Sequence, residues 1–333
     1  MSETQREEEE EKRKQLALAF EQTLSSDPRN RQIAEEFVKE LCQRDFGCLE
    51  LLKCAKDLAN FEQVRLSAAV LFKNEVKKRW NSDLSSKGKE EDFEEDDLFE
   101  ALSRAISEQE KIEIRKHVLE SALDESNQRK IKMQLSESVE IIAEYDLRIS
   151  EEFPMGRWPE LLPMLVACVG SDVRDSGRVG GCLRVANQVF KRFRGATKTE
   201  RLYRELKIAL DVFAKPLLEV TKEYVNKVLQ NSQNDVAVCK EACKVLRLCA
   251  RIFYSLNSQE LPEVFEDDIN QWMELFHGML NFEFDGVDVD ALRAAICDAL
   301  HLYAEKNEEE FKPFLETFVR DIWTLLGKYS QGG

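Results

Sequence analysis

Apolar residues recur every three or four positions along most of this sequence, and this period constrains the fold more than any other feature. The clearest stripe has successive spacings of 4, 3, 4, 3 and 4 and consists of Val238, Ala242, Val245, Cys249, Ile252 and Leu256. A helix turns once in about 3.6 residues, so such a stripe lies on one helical face. No segment alternates apolar and polar residues over more than a few positions. The pattern therefore predicts an all-α protein whose helices bury one face against a neighbour.

Prolines, glycines and Asn/Asp/Ser clusters divide the chain into thirteen predicted helices. They cover residues 7–25, 28–43, 46–59, 62–80, 98–124, 127–145, 158–171, 174–194, 198–231, 234–256, 262–281, 288–309 and 312–328. Successive helices form pairs of about 40 residues, a length typical of HEAT and armadillo repeats. The sequence therefore predicts an α-solenoid, a superhelix of HEAT repeats, with six complete helix pairs and a partial seventh.

The last predicted helix, 312–328, has no partner in the sequence. Its apolar stripe would then be exposed, and it includes Phe314, Phe318, Trp323 and Leu326. Because a solenoid normally covers its terminal repeat, this pattern predicts a longer protein or a truncated piece of one.

The amino-acid composition supports an all-α fold and argues against some classes of partner. The 13 glycines and 7 prolines are about half of the roughly 40 that average usage would give, so turns are scarce. The net charge of −16 argues against a general nucleic-acid binder, which would need clustered Lys and Arg. Carboxylates concentrate in Glu7–Glu11 and in residues 90–97. We expect the second run to be a mobile acidic insertion, because like charges so close together repel.

The N-terminus is acidic, whereas a secretory signal begins with a basic and then an apolar segment. The longest apolar stretch, Leu161–Val169, is interrupted by Pro163 and is about half the length of a membrane-spanning helix. Nine cysteines are scattered along the predicted helices, and the sequence has no Asn-X-Ser/Thr acceptor. These features predict a soluble protein of a reducing compartment, cytosol or nucleus, without disulfides or membrane insertion.

The residues that catalysis or metal binding would need are not grouped. The three histidines occupy three different predicted helices and are His117, His277 and His301. Cys239 and Cys243 lack the close Cys-x2-Cys spacing of zinc sites, so we interpret them as small core residues. The sequence predicts that the protein is not an enzyme and holds no metal.

The Ser-Gly-Arg-Val-Gly-Gly segment contains Gly177, Gly180 and Gly181. It lacks the Lys-Ser/Thr of a phosphate-binding loop and follows no predicted strand. We interpret these glycines as the start of a helix and a close helix crossing.

Residues Val64 to Trp80 read VRLSAAVLFKNEVKKRW: small residues, an apolar-Lys-Asn step, a basic stretch and a closing tryptophan. This helix resembles the signature helix of the importin-β superfamily N-terminal domain. Downstream, Phe153-Pro154 and Trp158-Pro159 resemble the Phe-Pro and Trp-Pro turn of the same superfamily. Pro159 suits the first turn of a helix, where its missing N–H is not needed.

Later segments resemble one branch of this superfamily, whose members return importin-α to the cytoplasm. They are Phe190–Arg194, Leu206–Leu217, Phe253–Asn257, Leu261–Asp268 and Trp272-Met273. The resemblance begins near residue 28. This chain departs from the branch at the acidic 84–109 insertion, at Asp146–Glu152 and at Asp285–Asp290.

The resemblance implies a transport receptor that shuttles between nucleus and cytoplasm through the nuclear pore. Its partners would be the small GTPase Ran in its GTP form, importin-α as cargo, and the phenylalanine-glycine repeats of nucleoporins. It would hold no cofactor, since GTP is bound only by Ran. The implied domains are the acidic N-terminus with the first helix (1–27), a Ran-binding domain (28–125) with its insertion, and further HEAT repeats (126–333).

In this superfamily the second helices of the first repeats contact Ran; here these are 28–43, 62–80 and 127–145. Polar residues outside the core stripes are the predicted contacts: Arg31, Glu35, Lys73, Asn74, Lys77, Gln134 and Glu137. The alternative for each is an ordinary solvated helix face. For the whole protein the alternatives are an import receptor for other cargo and a HEAT scaffold that does not depend on Ran.

Overall fold

The computed structural model describes residues 3–23, 25–81, 105–170, 176–231 and 235–331. Every regular element within these ranges is a helix. The chain forms two compact units, residues 1–145 and 146–333.

The first unit consists of three helix pairs. Its helices are α1 (Glu3–Thr23), α2 (Pro28–Gln43), α3 (Gly47–Lys56), α4 (Glu62–Arg79), α5 (Glu108–Leu123) and α6 (Arg129–Asp146), of which only the last residue belongs to the second unit. The first helices α1, α3 and α5 contact one another in chain order, and α1 and α3 pack against their partners α2 and α4. Apolar residues at helical spacing on α4 and α6 are buried, with Val64, Phe72, Ile131 and Leu135 at most 1% exposed.

The second unit continues the same arrangement. Its helices are α7 (Leu161–Gly170), α8 (Ser176–Lys191), α9 (Glu200–Asn231), α10 (Val236–Asn257), α11 (Glu263–Asp267), α12 (Ile269–Leu280), α13 (Asp290–Lys306) and α14 (Glu308–Gln331). Helices α7, α9, α12 and α14 contact successively and form one layer, while α8, α10 and α13 form the other. Together the units contain the six predicted pairs, and α14 is the partial seventh.

Several predicted boundaries are wrong. The predicted helix 262–281 is two helices, which meet at Asp268. The last helix begins at Glu308 and contains Pro313 in its second turn, so the proline did not mark its start. Pro159 lies in a turn ahead of α7, which begins only at Leu161. Pro159 removes no intrahelical bond, because it precedes α7. Pro313 is the sixth residue of its helix and leaves the Glu309 carbonyl without the N–H donor that residue 313 would otherwise supply.

The acidic run 90–97 and the start of the predicted helix 98–124 lie outside the described residues. The described end of the predicted 84–109 insertion is ordered. Ile106 is buried, and its N–H donates to the Arg79 carbonyl at 3.2 Å. Ser107 caps α5 by accepting the N–H of Glu110. Residues 106–109 of the predicted insertion are therefore part of the folded first unit.

Candidate partner-binding surfaces

Helix α4 has the predicted division into a core face and a polar face. Ala68, Phe72 and Val76 are completely buried, and Trp80 closes the helix in the core. Asn74 and Lys77 are exposed on the opposite face. The signature helix therefore anchors its repeat with one side and presents a polar side.

The seven predicted Ran contacts fall into three groups. Arg31, Glu35, Asn74 and Lys77 are exposed. Lys73 and Glu137 face each other, with the Lys73 Nζ donating to a Glu137 carboxylate oxygen at 3.0 Å. This pair joins α4 to α6, and both side chains are only partly exposed.

Gln134 is the exception among the predicted contacts. It was expected outside the core stripe, but only 9% of it is exposed. It lies one position before the buried Leu135 and is partly covered by the same packing. Gln134 therefore offers a partner much less surface than the other predicted residues.

A buried carboxylate holds α3 in place, and sequence reasoning missed it. The residue before α3 is Phe46, in a left-handed conformation (φ 62°) and without a capping side chain. Glu110 of α5 supplies the cap instead, accepting the Leu49 N–H at 2.9 Å. Burial is the largest influence and raises the pKa of Glu110, while the Leu49 N–H opposes the rise. The only signal was the Ser107-x-x-Glu110 capping pattern, which suggests a bond within α5.

Arg65 makes a second buried link between repeats. It is 5% exposed, donates from Nε to the Ala55 carbonyl at 3.0 Å, and bonds Asn127 through Nη2. Asn127 in turn donates to the Ser121 carbonyl at 2.7 Å. This network fixes α4 against the turn between α5 and α6, so the second helices of adjacent repeats are held in register.

The Phe-Pro and Trp-Pro segment forms a compact turn at the start of the second unit. The Asp146 carbonyl accepts the N–H groups of Arg157 (2.6 Å) and Trp158 (3.2 Å). Gly156 has φ +77°, and a Cβ there would lie 2.5 Å from the same carbonyl oxygen. Trp158 is buried beneath the turn. The turn thus requires glycine at this position for both conformation and space.

Two of the segments that resemble the branch, Phe190–Arg194 and Phe253–Asn257, lie at the C-terminal ends of the second helices α8 and α10, and hydrogen bonds connect these ends. The Ser258 hydroxyl and the Gln259 amide donate to the Phe193 carbonyl, and the Tyr303 hydroxyl donates to Asn257 Oδ1 at 2.9 Å. The Lys306 ammonium donates to the Ser258 carbonyl at 2.7 Å. We call this chain of bonds the polar ladder; it links the C-terminal ends of α8, α10 and α13.

An aromatic cluster lies beside the polar ladder. Phe253 is at its centre, with ring centroids 4.6 to 5.5 Å from four neighbours: Phe265, Trp272, Phe276 and Tyr303. Aromatic pairs at such distances add about 0.5–1.5 kcal/mol each beyond area burial. The segments that carry the resemblance therefore form a core and its polar edge.

The cysteines of α10 and the glycines of α8 lie where the sequence predicts them. Cys239, Cys243 and Cys249 are buried, as predicted, and burial raises the pKa of the Cys249 thiol to about 12. Gly177 is the second residue of α8, and a Cβ on Gly180 would lie 3.7 Å from Val245 on α10, which confirms the helix start and the close crossing.

The described residues contain no group of three His, Cys, Asp or Glu side chains arranged to hold a metal ion. None of the helices that the structure describes combines the length and apolarity needed to cross a membrane.

Two family models match the chain in order. The importin-beta N-terminal domain matches residues 34–137, and Cse1 matches residues 189–332. The chain is 34% identical over 314 residues to exportin-2 of Oreochromis niloticus, with 91% of this chain and 29% of that protein covered. For Drosophila melanogaster exportin-2 the identity is 34%, covering 95% and 31%, and for the Homo sapiens protein 32%, covering 93% and 30%. The chain thus spans about a third of the length of these relatives.

Solved structures share the fold. The exportin Cse1 in its cargo-free, cytoplasmic state aligns with a TM-score of 0.79 at 24% identity, covering 94% of this chain and 32% of that one. Lph2, a bidirectional nuclear transport receptor of S. cerevisiae, aligns with a TM-score of 0.62 at 19% identity, covering 91% and 28%. These alignments confirm the predicted fold class, an all-α solenoid of HEAT repeats.

Proposed function

The chain is related in sequence and in fold to the N-terminal part of the exportin-2 proteins of the importin-β superfamily, and we propose that it acts as part of a nuclear transport receptor. In this proposal it binds Ran in its GTP form together with importin-α, carries importin-α from the nucleus to the cytoplasm, and shuttles through the nuclear pore. The observation that carries the proposal is the extent of the match, which covers 91–95% of the chain at 32–34% identity.

The proposed Ran surface consists of the polar faces of α2, α4 and α6. Arg31, Glu35, Asn74 and Lys77 are exposed there and form no ion pair with a described residue. Polar side chains without an intramolecular partner can bond a protein partner without first breaking a bond of their own. The Lys73–Glu137 pair sits between α4 and α6 and would hold the two helices at a fixed spacing.

The net charge of −16 supports the recruitment of basic partners. Charges steer association over about one Debye length, roughly 8 Å at physiological salt, and mainly raise the rate of encounter. Nucleoporin phenylalanine-glycine repeats complete the proposed partners. The chain itself is proposed to have no catalytic activity and no cofactor, because its three histidines lie on three separate helices, α5, α12 and α13.

A pull-down with immobilised importin-α tests this function. Purified chain is added with Ran loaded either with a non-hydrolysable GTP analogue or with GDP. We expect retention of the chain to rise at least fivefold with the GTP analogue. Retention that ignores Ran would favour a scaffold. If a parallel column of immobilised Ran retains the chain and the importin-α column does not, the result would favour an import receptor for other cargo.

A further inference from the structure

The second unit contains a groove lined by positive charge, which neither the resemblance nor the proposed function explains. It lies between α10 and α13, with Arg194 from the end of α8 at one side, and has a volume of about 470 Å³. Its polar residues are Arg194, Arg247, Arg251, Tyr254, Asp298 and His301, and the remaining wall is made of alanines of α13. We call it the arginine groove.

Arg194 is held rigidly in the arginine groove. Its Nε donates to the Ser255 hydroxyl at 2.8 Å, and its Nη2 donates to the Arg251 carbonyl at 2.7 Å. The guanidinium also lies 4.9 Å from the ring centroid of Tyr254. Little conformational entropy would be lost when this side chain binds a ligand, because it is already fixed.

The positive charge in the arginine groove is not neutralised by the protein. Asp298 is the one carboxylate among the described residues that line the groove, against three arginines. Neither Arg247 nor Arg251 forms an ion pair with a described carboxylate. Burial, and then the neighbouring charge of Arg251, lower the pKa of Arg194.

Two other arginines of the same unit show the usual pairing with a carboxylate. Arg192 lies 3.4 Å from Glu205, and Arg293 lies 3.5 Å from Asp290. Grouping three guanidinium groups beside a single carboxylate costs electrostatic free energy. The chain has many acidic residues, as its net charge of −16 shows, yet only one of the described acidic residues lines this groove. An anionic ligand would relieve this repulsion.

We propose that the arginine groove binds a carboxylate-rich peptide segment of a partner protein. Guanidinium groups bond carboxylates through two parallel N–H donors, which gives both affinity and orientation. The exposed Ala291 and Ala294 leave space for a peptide backbone beside the charges. This surface is independent of the Ran surface on α2, α4 and α6.

The chemistry of the groove favours an acidic peptide over single-stranded nucleic acid. Nucleic acids need an extended basic track and aromatic rings on which bases stack. Among the described residues that line the groove, Tyr254 is the only Phe, Tyr or Trp. The Arg194 guanidinium lies over its ring, where a base would have to stack.

Fluorescence anisotropy tests the proposal with a labelled twelve-residue peptide of alternating Glu and Ser. A peptide with Gln in place of Glu and a twelve-nucleotide single-stranded DNA are the comparison probes. The full chain is compared with the Arg247→Gln/Arg251→Gln variant, in which neutral side chains of similar length leave the helix intact. We expect the variant to bind the acidic peptide about tenfold more weakly, and the wild type to bind the Gln peptide at least tenfold more weakly than the acidic one.

The matched control is Arg201→Gln/Arg204→Gln on α9, which removes the same charge from two exposed arginines outside the groove. We expect less than a twofold effect. Equal weakening by both variants would show that only net charge matters and would overturn the proposal. Tighter binding of the DNA than of the acidic peptide would overturn it in favour of a nucleic-acid site. Ran plays no part in the assay, so its outcome is separate from that of the proposed function.

Discussion

At the scale of single residues, buried polar groups connect one repeat to the next. Glu110 caps α3 from another helix, and Arg65 reaches Asn127 across the turn of the following repeat. Such groups stabilise a fold only when their bonds are complete, because an unpaired buried donor or acceptor costs about 1–3 kcal/mol. Their contribution is therefore measurable by substitution.

Glu110→Ala should lower the free energy of unfolding by about 2 kcal/mol at neutral pH, because the Leu49 N–H loses its buried acceptor. Glu110→Gln keeps an acceptor oxygen and should cost less. Urea denaturation followed by circular dichroism measures both variants. Equal losses for Ala and Gln would contradict the capping role.

The same pair of proteins gives a pH prediction. The pKa of Glu110 is raised above its usual 4.5 in the folded chain, so the folded state binds this proton more tightly than the unfolded state. The stabilisation is complete below the unfolded pKa and is lost as the pH rises through the folded pKa. The stability of wild type relative to Glu110→Gln should therefore fall as the pH rises above 4.5. If the relative stability increased with pH instead, the backbone N–H groups at the start of α3 would have a larger effect on the pKa of Glu110 than burial has.

Gly156 offers a test of the turn ahead of α7. Gly156→Ala should destabilise the chain by about 2–3 kcal/mol, since it adds both an unfavourable φ and a clash with the Asp146 carbonyl. Gly195→Ala is the matched control, because Gly195 also has positive φ (65°) but no atom within 4 Å of an added Cβ. It should cost only about 1 kcal/mol. Identical losses in thermal unfolding would rule out the clash.

The burial of apolar residues was the feature most readily predicted from the sequence. Val245 and Ile252 were predicted on a buried helical face from spacing alone, and both are at most 2% exposed. The Glu110–Leu49 bond could not be predicted, because it joins positions 61 residues apart and depends on how α3 and α5 pack. The burial of Gln134 could not be predicted either. The helical period places this residue near the edge of a stripe, but it does not determine how much of the side chain a neighbouring helix covers.

At the scale of the helices, pairing was easier to predict than boundaries. The six pairs follow from the period of apolar residues, which extends over whole helices. The break at Asp268 was missed because the sequence has no glycine or proline there, and the backbone leaves the helix at only that residue (φ −100°, ψ 13°). The start of α14 was missed because a proline usually marks a helix boundary, whereas Pro313 lies inside the second turn of this helix.

The polar ladder explains how second helices stay aligned. Tyr303→Phe removes the hydroxyl that donates to Asn257 and leaves a buried oxygen unsatisfied. We expect a loss of about 1–2 kcal/mol. The control Tyr203→Phe removes an exposed hydroxyl bonded to Glu260 and should change stability by less than about 0.5 kcal/mol. Equal effects in urea denaturation would contradict a structural role for the ladder.

At the scale of the whole molecule, charge and motifs predict different things. The net charge of −16 predicts that the chain as a whole attracts positively charged partners. The arginine groove is a local positive surface that cannot be inferred from the net charge. The order of the motifs predicted the resemblance to the importin-β superfamily, and the two family models match the chain in that order. The groove could not be predicted, because Arg194, Arg251 and Asp298 come from three separate segments that meet only in the folded repeats.

The central claim is that the polar faces of α2, α4 and α6 bind Ran in its GTP form. Biolayer interferometry with Ran loaded with a GTP analogue or with GDP measures this most directly, for wild type, for Asn74→Ala/Lys77→Ala, and for the control Gln109→Ala/Lys116→Ala on α5. We predict at least tenfold tighter binding of the GTP form, and about tenfold weakening by the α4 variant alone. Equal affinity for the two nucleotide forms, or no difference between the α4 variant and its control, would contradict the claim.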